Sequence, residues 1–185
     1  MSLTIIMGPM FAGKSSELIK RITSSDAPKI IINHVMDSRY AKTNIATHDG
    51  KQIPCVSLEK LEQIFTNYHN YNLYELEKID EIYIDEAQFF TDLHDVVRDL
   101  VLNYKKNVII SGLDGDFQMR PFSKSKMLDL IPLASEIIKL SATCYKCDKP
   151  AWYSKRLIMS DEQILVGTAS LYQPSCLLHH NHDCD

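Results

Sequence analysis

The strongest constraint on the fold lies near the start of the chain, where an apolar run rich in β-branched residues leads into a glycine-containing loop. Residues 8–16, GPMFAGKSS, satisfy the pattern G-x-x-x-x-G-K-[ST] at every fixed position. In this pattern the backbone N–H groups of the loop face one concavity, and the following helix points its N-terminus at the same place, so that a polyphosphate fits there. The predicted phosphate-binding residues are Gly8, Pro9, Met10, Phe11, Ala12, Gly13, Lys14 and Ser15.

Two side chains of this loop have predicted roles beside a bound triphosphate. Lys14 reaches the β- and γ-phosphates, and the Ser15 hydroxyl is placed to hold Mg²⁺ next to them. The alternative interpretation is a strand-to-helix turn that contains a lysine by chance. Four fixed positions in the right order, between a predicted strand and a predicted helix, argue against it.

Composition and charge narrow the class of protein. A chain of 185 residues with 45% hydrophobic content forms one packed domain, or one domain with a small appendage. The 20 basic and 24 acidic residues give a formal net charge of −4, so we expect no nucleic-acid partner and no membrane partner. No apolar run approaches the roughly 20 residues of a membrane span, and the first strand starts too early for a signal peptide. We therefore expect a cytoplasmic protein.

The first 140 residues alternate strand and helix patterns, which predicts a parallel sheet flanked by helices. Residues 43–52 are polar and predict a small hairpin or a flexible excursion. Five strands are expected, with three or four crossover helices. The predicted strands begin near residues 3, 29, 81, 107 and 137, and the predicted helices cover residues 15–25, 58–74 and 92–104, with a further apolar stripe over residues 123–134.

Acidic residues follow two of these strands. Ligands bind at the carboxyl ends of parallel strands, and a carboxylate beside a phosphate loop is the oxygen ligand that Mg²⁺ needs, a role that we assign to Asp85. Glu86 can accept a proton from an attacking hydroxyl or water. The alternative for this pair is a helix cap and a solvated acid. Asp37 and Arg39 are also placed toward the phosphate loop, unless they form a surface ion pair.

The last quarter of the chain carries four of the five cysteines. Cys144 and Cys147 form a C-x-x-C pair, and Cys176 and His179 form a C-x-x-H pair. Two such pairs close a tetrahedral zinc site, which stabilises a small lobe that has no core of its own. A redox-active C-x-x-C is the other interpretation. The competing candidates for the fourth ligand are His180, His182 and Cys184.

The sequence therefore divides into an ATP-binding α/β domain, residues 1–140, and a zinc-stapled lobe, residues 141–185. Within the lobe, residues 151–156 and 163–166 have strand patterns, and residues 167–174 are expected to return to the metal as a long loop that can close over a ligand. In the first domain, the loop after residue 113 carries two aromatic side chains. These can sandwich a planar base or pack under the loop.

The order of these segments resembles one family over nearly the whole chain. The segments are GPMFAGKSSEL at residues 8–18, DSRY at 37–40, THD at 47–49, DEAQFF at 85–90, LDG at 113–115, FQ at 117–118, PF at 121–122, LSATC at 140–144, KRL at 155–157, and Tyr172 with Cys176. Together they resemble the zinc-containing thymidine kinases. The phosphate loop alone would indicate only the superfamily of P-loop folds.

The resemblance implies a P-loop NTPase-like parallel sheet with a zinc-binding lobe and a lasso-like loop. It also implies transfer of the γ-phosphoryl group of ATP to the 5′-hydroxyl of thymidine, with Glu86 as general base. Lys14, the loop amides, Ser15, Asp85 and Mg²⁺ would hold the triphosphate. Gln88, Asp37 and Arg39 match positions near the phosphates in the family. The implied nucleoside pocket contains Met10, Phe89, Leu113, Phe117, Phe122, Ser154, Gln163, Ile164, Leu165, Val166, Gly167 and Tyr172. Family members are cytoplasmic homotetramers inhibited by thymidine triphosphate, so we expect the same here.

This chain also departs from the family pattern. Ser154 stands where a threonine usually lies beside the thymine methyl group, which predicts weaker discrimination against deoxyuridine by roughly 1 kcal/mol. Asp116 and Met119 replace a threonine and an arginine, Thr168 replaces a second glycine, and His179 replaces a cysteine as metal ligand.

Two other classes of protein remain to be tested against this interpretation. The sequence DEAQ also occurs in nucleic-acid-dependent ATPases, although 185 residues are too few for two motor domains and the acidic charge disfavours a nucleic-acid groove. A zinc-stapled interaction module that nucleotide only switches would bind ATP without transferring phosphate.

Overall fold

The central element is a six-stranded sheet, seen in a computed structural model that describes residues 1–37, 44–46, 50, 52–66, 76–165, 167 and 170–181. The elements up to residue 140 are, in chain order, β1 (Ser2–Gly8), α1 (Lys14–Ser24), β2 (Lys29–His34), β3 (Asn44–Ala46), β4 (Gln52–Pro54), β5 (Val56–Leu58), β6 (Glu81–Ile84), α2 (Leu93–Leu102), β7 (Asn107–Leu113) and β8 (Glu136–Lys139). Short 3-10 helices cover Leu61–Phe65, Ala87–Phe89 and Met127–Leu133.

The strand order β5-β2-β6-β7-β1-β8 places the carboxyl ends of β1 and β6, which carry the predicted site residues, close together. Every neighbouring pair in this sheet is parallel, so all carboxyl ends lie at one edge. Strand β7 lies between β1 and β6, with Leu113 opposite Gly8 and Ile110 opposite Ile84. The phosphate loop after β1 and the acidic pair after β6 are therefore separated by the width of a single strand.

Alternation along the strands gives the sheet two apolar faces, as expected for a parallel sheet covered on both sides. One face packs against α1, where Leu18, Ile19 and Ile22 meet Ile6 and Ile109 of the sheet. The opposite face packs against α2 and the 3-10 helices and holds the larger cluster of buried residues. The predicted fold class, a parallel α/β sheet flanked by helices, is confirmed. The hairpin alternative for residues 43–52 is also confirmed, but its second strand, Gln52–Pro54, extends past the predicted bound.

Two predictions about this domain are wrong. The sheet has six strands, not five, because Val56–Leu58 pairs in parallel with β2 as an edge strand. The predicted helix over residues 58–74 does not begin at Leu58, because that residue ends β5. A short 3-10 helix, Leu61–Phe65, follows instead. The apolar stripe that suggested the helix is buried all the same, with Leu61 0% and Ile64 2% exposed. Residues 67–75 lie outside the described part of the chain.

The lobe consists of two small antiparallel pairs and a short helix. Its elements are β9 (Ala142–Thr143), β10 (Pro150–Ala151), β11 (Tyr153–Arg156), β12 (Tyr172–Ser175) and α3 (Leu177–Asn181). Strand β9 pairs with β10, and β11 pairs with β12. The strand predicted over residues 163–166 is wrong for residues 163–165, which have no regular structure, and residue 166 is not described. The actual partner of β11 is Tyr172–Ser175, which was predicted as loop.

Among the helices that the structure describes, none combines the length and the apolar character needed to cross a bilayer.

Candidate active site

The phosphate loop has the backbone geometry that its two glycines allow. Gly8 has φ +152°, and a Cβ atom there would lie 2.3 Å from the Leu140 carbonyl oxygen, so no other residue fits without moving the backbone just after β8. Gly13 has φ 79° and ψ 20°, in the left-handed region, and immediately precedes α1. The Lys14 Nζ donates a hydrogen bond of 2.7 Å to the Pro9 carbonyl. The ammonium is therefore already held over the loop that would receive the phosphates.

Asp85 directly follows β6 in a buried position, with 4% of its surface exposed. Burial, and next the neighbouring charge of Glu86, raise the pKa of Asp85 to about 6. Ser111 and Ser15 act in the opposite direction, because their hydroxyls favour the charged carboxylate. The Ser111 hydroxyl is fully buried yet finds no hydrogen bond of ordinary geometry within the described chain. The Asp85 carboxylate and the hydroxyls of Ser15 and Ser111 therefore form a buried group of oxygens, the type of ligand that Mg²⁺ prefers.

Glu86 is held by its backbone and by the side chain of Gln88. Its φ of 50° and ψ of 39° are left-handed, which is uncommon for a residue other than glycine and costs on the order of 1 kcal/mol. The Gln88 side-chain amide donates to Glu86 Oε2 at 2.5 Å, and its oxygen accepts from the Leu113 N–H at 2.9 Å. Gln88 is 2% exposed. Its position indicates that it orients the Glu86 carboxylate; its predicted contact with phosphate stays a prediction.

A single cavity at the carboxyl edge of the sheet joins these groups to the lobe. The predicted residues that line it are Met10, Phe11, Gly13, Lys14, Ser15, Asp37, Glu86, Phe89, Leu113, Phe117, Phe122, Ser154, Gln163, Ile164, Leu165, Gly167 and Tyr172. Asp37 is buried and accepts a hydrogen bond from Asn33 Nδ2 at 3.1 Å. Predicted residues that are described but do not form the wall are Gly8, Pro9, Ala12, Asp85 and Gln88. Arg39 and Val166 lie outside the described residues.

The lobe contacts the phosphate loop directly through Ser154. This residue of β11 is 5% exposed, and its hydroxyl accepts a hydrogen bond of 2.9 Å from the backbone N–H of Met10. The same side chain lines the cavity. The position expected to contact the nucleoside base is thus also bonded to the loop expected to bind phosphate.

Sequence reasoning gave no role to several residues at this site. Ser16, Gly115 and Asp116 also line the cavity. The Asp116 carboxylate accepts hydrogen bonds from the Arg120 backbone at 2.9 Å and from Gln163 Nε2 at 3.0 Å. Burial alone would raise the pKa of Asp116, but these bonds lower it below its ordinary value. The sequence signal that could have pointed to Asp116 is that the family usually has threonine at this position.

The cysteine pairs of the lobe come together with His179 and not with His180. The ligand atoms of Cys144, Cys147, Cys176 and His179 all lie within 4.8 Å of one another. Cys147 and Cys176 have their sulfur atoms 3.8 Å apart, and Cys144 Sγ lies 3.4 Å from His179 Nδ1. A disulfide requires about 2.05 Å, whereas zinc with bonds of about 2.3 Å to sulfur gives tetrahedral edges near 3.8 Å.

The chemistry of this donor set fits zinc. Burial would raise the pKa of the Cys144 thiol, but hydrogen bonds from the backbone of Lys146 and Cys176 and from His179 lower it to about 6. A thiolate is the form that binds a metal. A metal ion bound by all four residues would have no position for a reacting water, which is the pattern of structural zinc sites. His182 and Cys184, the remaining candidates for the fourth ligand, lie outside the described residues.

Comparisons with known proteins identify the family of the chain. The family model described as thymidine kinase matches residues 1–180. Thymidine kinase a of Arabidopsis thaliana is 39% identical over 179 residues, covering 95% of this chain and 73% of the plant protein. The thymidine kinase of Monkeypox virus is 36% identical over 177 residues, covering 94% of this chain and 93% of the viral one.

A chain from a solved structure on DNA unwinding by two coordinating Pif1 helicases has a TM-score of 0.40 and 18% identity, covering 75% of this chain and 39% of that chain. This similarity is too low to bear on function. Because the family model and both relatives align over most of the sequence, the chain belongs to the thymidine kinase family.

Proposed function

We propose that the protein transfers the γ-phosphoryl group of ATP to the 5′-hydroxyl of thymidine, giving thymidine monophosphate and ADP. The observation that carries this proposal is the single cavity whose wall contains Lys14 and Ser15 of the phosphate loop, Glu86, and aromatic side chains of the opposite loop. A phosphate donor and a planar nucleoside therefore have complementary surfaces in one space. The membership in the thymidine kinase family supports thymidine as the acceptor.

The nucleoside end of the cavity is mostly apolar. Phe117 and Phe122 come from the loop after β7, Tyr172 comes from β12, and Met10 and Leu113 complete the wall. Aromatic and apolar side chains bind a base by stacking and by excluding water, while nearby backbone groups supply hydrogen bonds. We assign this end to thymidine, with residues 163–167 as the backbone partners.

Glu86 is the proposed general base. Its carboxylate would take the proton of the 5′-hydroxyl as that oxygen bonds to the γ-phosphorus, while the bond from phosphorus to the β-phosphate oxygen breaks and ADP leaves. The Gln88 amide fixes the carboxylate through Oε2, so the base is oriented before substrate binds. Removal of a positioned base of this kind typically slows transfer by about 10²–10⁴-fold.

The phosphate loop supplies the electrostatic part of the reaction. Lys14 and the loop amides would bind the β- and γ-phosphates and stabilise the charge that develops on the transferred group. Mg²⁺ bound with ATP would offset the charge of the phosphate oxygens. Ser15 and Asp85 are the residues that would hold it, since the Ser15 hydroxyl lies beside the Asp85 carboxylate.

We assign ATP binding to residues 1–140 and closure over the nucleoside to residues 141–185. Structural zinc at Cys144, Cys147, Cys176 and His179 would fix the ends of the lobe, since the four ligands come from both of its termini. By analogy with the family we also propose a cytoplasmic homotetramer that thymidine triphosphate inhibits.

A direct assay tests the function. Purified protein is incubated with [γ-³²P]ATP, Mg²⁺ and single nucleosides, and labelled monophosphates are separated. We expect label in thymidine monophosphate, and a loss of about 10²-fold or more in Glu86→Gln with ATP binding retained. A matched control, Glu81→Gln, changes a carboxylate at the other end of the same strand. ATP turnover stimulated by polynucleotide, or ATP binding without transfer to any nucleoside, would contradict the proposal.

A further inference from the structure

We infer that Arg156 is the positioning residue that shapes the nucleoside side of the cavity, by binding the backbone of residues 160–163 and the ring of Phe117. Arg156 ends strand β11 and is 8% exposed. It forms no ion pair with a carboxylate among the described residues, although a buried guanidinium normally requires a partner for its charge. Neutral polar groups must therefore stabilise the positive charge of Arg156.

Backbone carbonyls provide that stabilisation. Nη1 of Arg156 donates to the carbonyls of Ser160 at 3.0 Å and Glu162 at 2.6 Å, and Nη2 donates to that of Gln163 at 3.2 Å. Nε and Nη2 donate to the Tyr172 hydroxyl at 3.2 and 2.7 Å. A guanidinium has five N–H donors, and these five bonds use all of them. No other side chain offers this fork of donors.

The hydrogen bonds and ring contact of Arg156 reach residues that line the cavity on the lobe and on the loop after β7. The Tyr172 hydroxyl donates to the Leu165 carbonyl at 2.9 Å, which carries the connection two residues beyond Gln163. The guanidinium carbon lies 3.7 Å from the centre of the Phe117 ring, a stacking distance. Gln163, Leu165, Tyr172 and Phe117 all line the cavity, whereas Arg156 does not. Arg156 therefore acts on the ligand only through these neighbours.

The consequence concerns binding of the nucleoside more than the chemistry. Residues 160–165 have no regular secondary structure, so their shape depends on side-chain contacts of this kind. Without the guanidinium this segment would have to be ordered by the nucleoside, and that ordering lowers affinity. The hydrogen bonds of Arg156 among the described residues go to residues 160–163 and Tyr172, and none goes to the phosphate loop or to Glu86. Loss of Arg156 should accordingly raise KM for thymidine and leave KM for ATP nearly unchanged.

The test compares Arg156→Met, Arg156→Lys and a control, Arg98→Met, at an exposed arginine on α2. We expect Arg156→Met to raise the thymidine KM by roughly tenfold or more, with less than about threefold change in ATP KM and unchanged zinc content. Arg156→Lys keeps the charge but not the planar fork, so it should recover only part of the loss. Equal changes in both KM values, or no change, would overturn the inference.

A second measurement does not depend on the substrate, because the kinetic prediction rests on the proposed function. Native protein is digested briefly with chymotrypsin, and cleavage is mapped at Leu157, Met159 and Leu165. We expect faster cleavage there in Arg156→Met than in wild type or Arg98→Met. Faster cleavage in a protein that does not phosphorylate thymidine would reject the proposed function and retain the role of Arg156. Unchanged cleavage would reject that role.

Should Arg156→Met not fold, Arg156→Lys and Tyr172→Phe replace it in both measurements. Tyr172→Phe removes the hydroxyl that joins Arg156 to the Leu165 carbonyl and leaves the ring in place. Wild-type thymidine KM and wild-type cleavage in both of these variants would overturn the inference.

Discussion

Asp85→Asn should stabilise the protein in the absence of nucleotide and Mg²⁺ while it abolishes phosphoryl transfer. Asp85 is 4% exposed and lies next to Glu86, and its pKa is raised from the ordinary value of 3.8 to about 6. The folded state therefore binds this proton more tightly than the unfolded state does. Above pH 6 the ionised carboxylate opposes folding, and the opposition weakens as the pH falls toward 4.

The magnitude follows from the change in proton affinity. At about 1.4 kcal/mol for each tenfold change, the ionised carboxylate lowers the free energy of unfolding by about 3 kcal/mol at pH 8 and by about 1.5 kcal/mol at pH 5. The amide of asparagine keeps the shape and removes the charge, although its own hydrogen bonds reduce the gain. We expect a rise of about 1–3 kcal/mol at pH 8, or roughly 3–10 °C in Tm for a chain of this size.

Scanning calorimetry in magnesium-free buffer at pH 8 and pH 5 measures this effect. Asp80→Asn serves as the matched control, since it removes an exposed carboxylate just before the same strand. Its Tm should change by less than that of Asp85→Asn at both pH values. If Asp85→Asn unfolds at a lower temperature than wild type at pH 8, or gains more at pH 5 than at pH 8, the reasoning from burial and like charge is refuted.

Three further predictions concern the lobe and the loop opposite it. Ser154→Thr restores a methyl group and should raise the preference for thymidine over deoxyuridine in kcat/KM by roughly fivefold; an unchanged ratio in steady-state kinetics would count against this. Cys144→Ser should lose most of the zinc, expected at about one ion per chain in wild type, whereas Cys55→Ser, outside the cluster, should keep it; elemental analysis decides, and equal retention in both would contradict the site. Asp116→Asn should cost about 1–2 kcal/mol in urea unfolding, because the carboxylate accepts several hydrogen bonds. Since the pKa of Asp116 lies below 3.8, this loss should be equal at pH 5.5 and pH 8 and shrink only below about pH 4; a loss that grows between pH 5.5 and pH 8 would disagree.

The parts of the fold that could be predicted are those with local signals. Apolar β-branched runs such as residues 107–113 form buried strands wherever they occur in an α/β chain, and the predicted bounds match β7. The order of glycines and lysine in the phosphate loop likewise determines a local backbone path. Asp85 and Glu86 follow a strand directly, so the parallel sheet alone brings them to the edge where Lys14 lies.

The parts that could not be predicted depend on partners far away in the sequence. Val56–Leu58 becomes a strand only because β2 offers a free edge, and three residues are too few for a periodic signal. Residues 163–166 have a strand pattern in the sequence, yet the carbonyls of Gln163 and Leu165 are bound by Arg156 and Tyr172, and residues 163–165 form no ladder. Arg156 itself has no sequence signal of burial, since arginine is usually exposed.

The hydrogen bond from Lys14 to the Pro9 carbonyl has a consequence for how the donor nucleotide arrives. A flexible lysine free in solution would lose about 2 kcal/mol of rotamer freedom when a ligand captures it. Here folding has already restricted the side chain, and an incoming phosphate oxygen replaces a carbonyl oxygen as its partner. When the triphosphate binds, the Lys14 ammonium therefore changes its hydrogen-bond acceptor without first having to be ordered. This smaller entropy cost favours tight binding by a short loop.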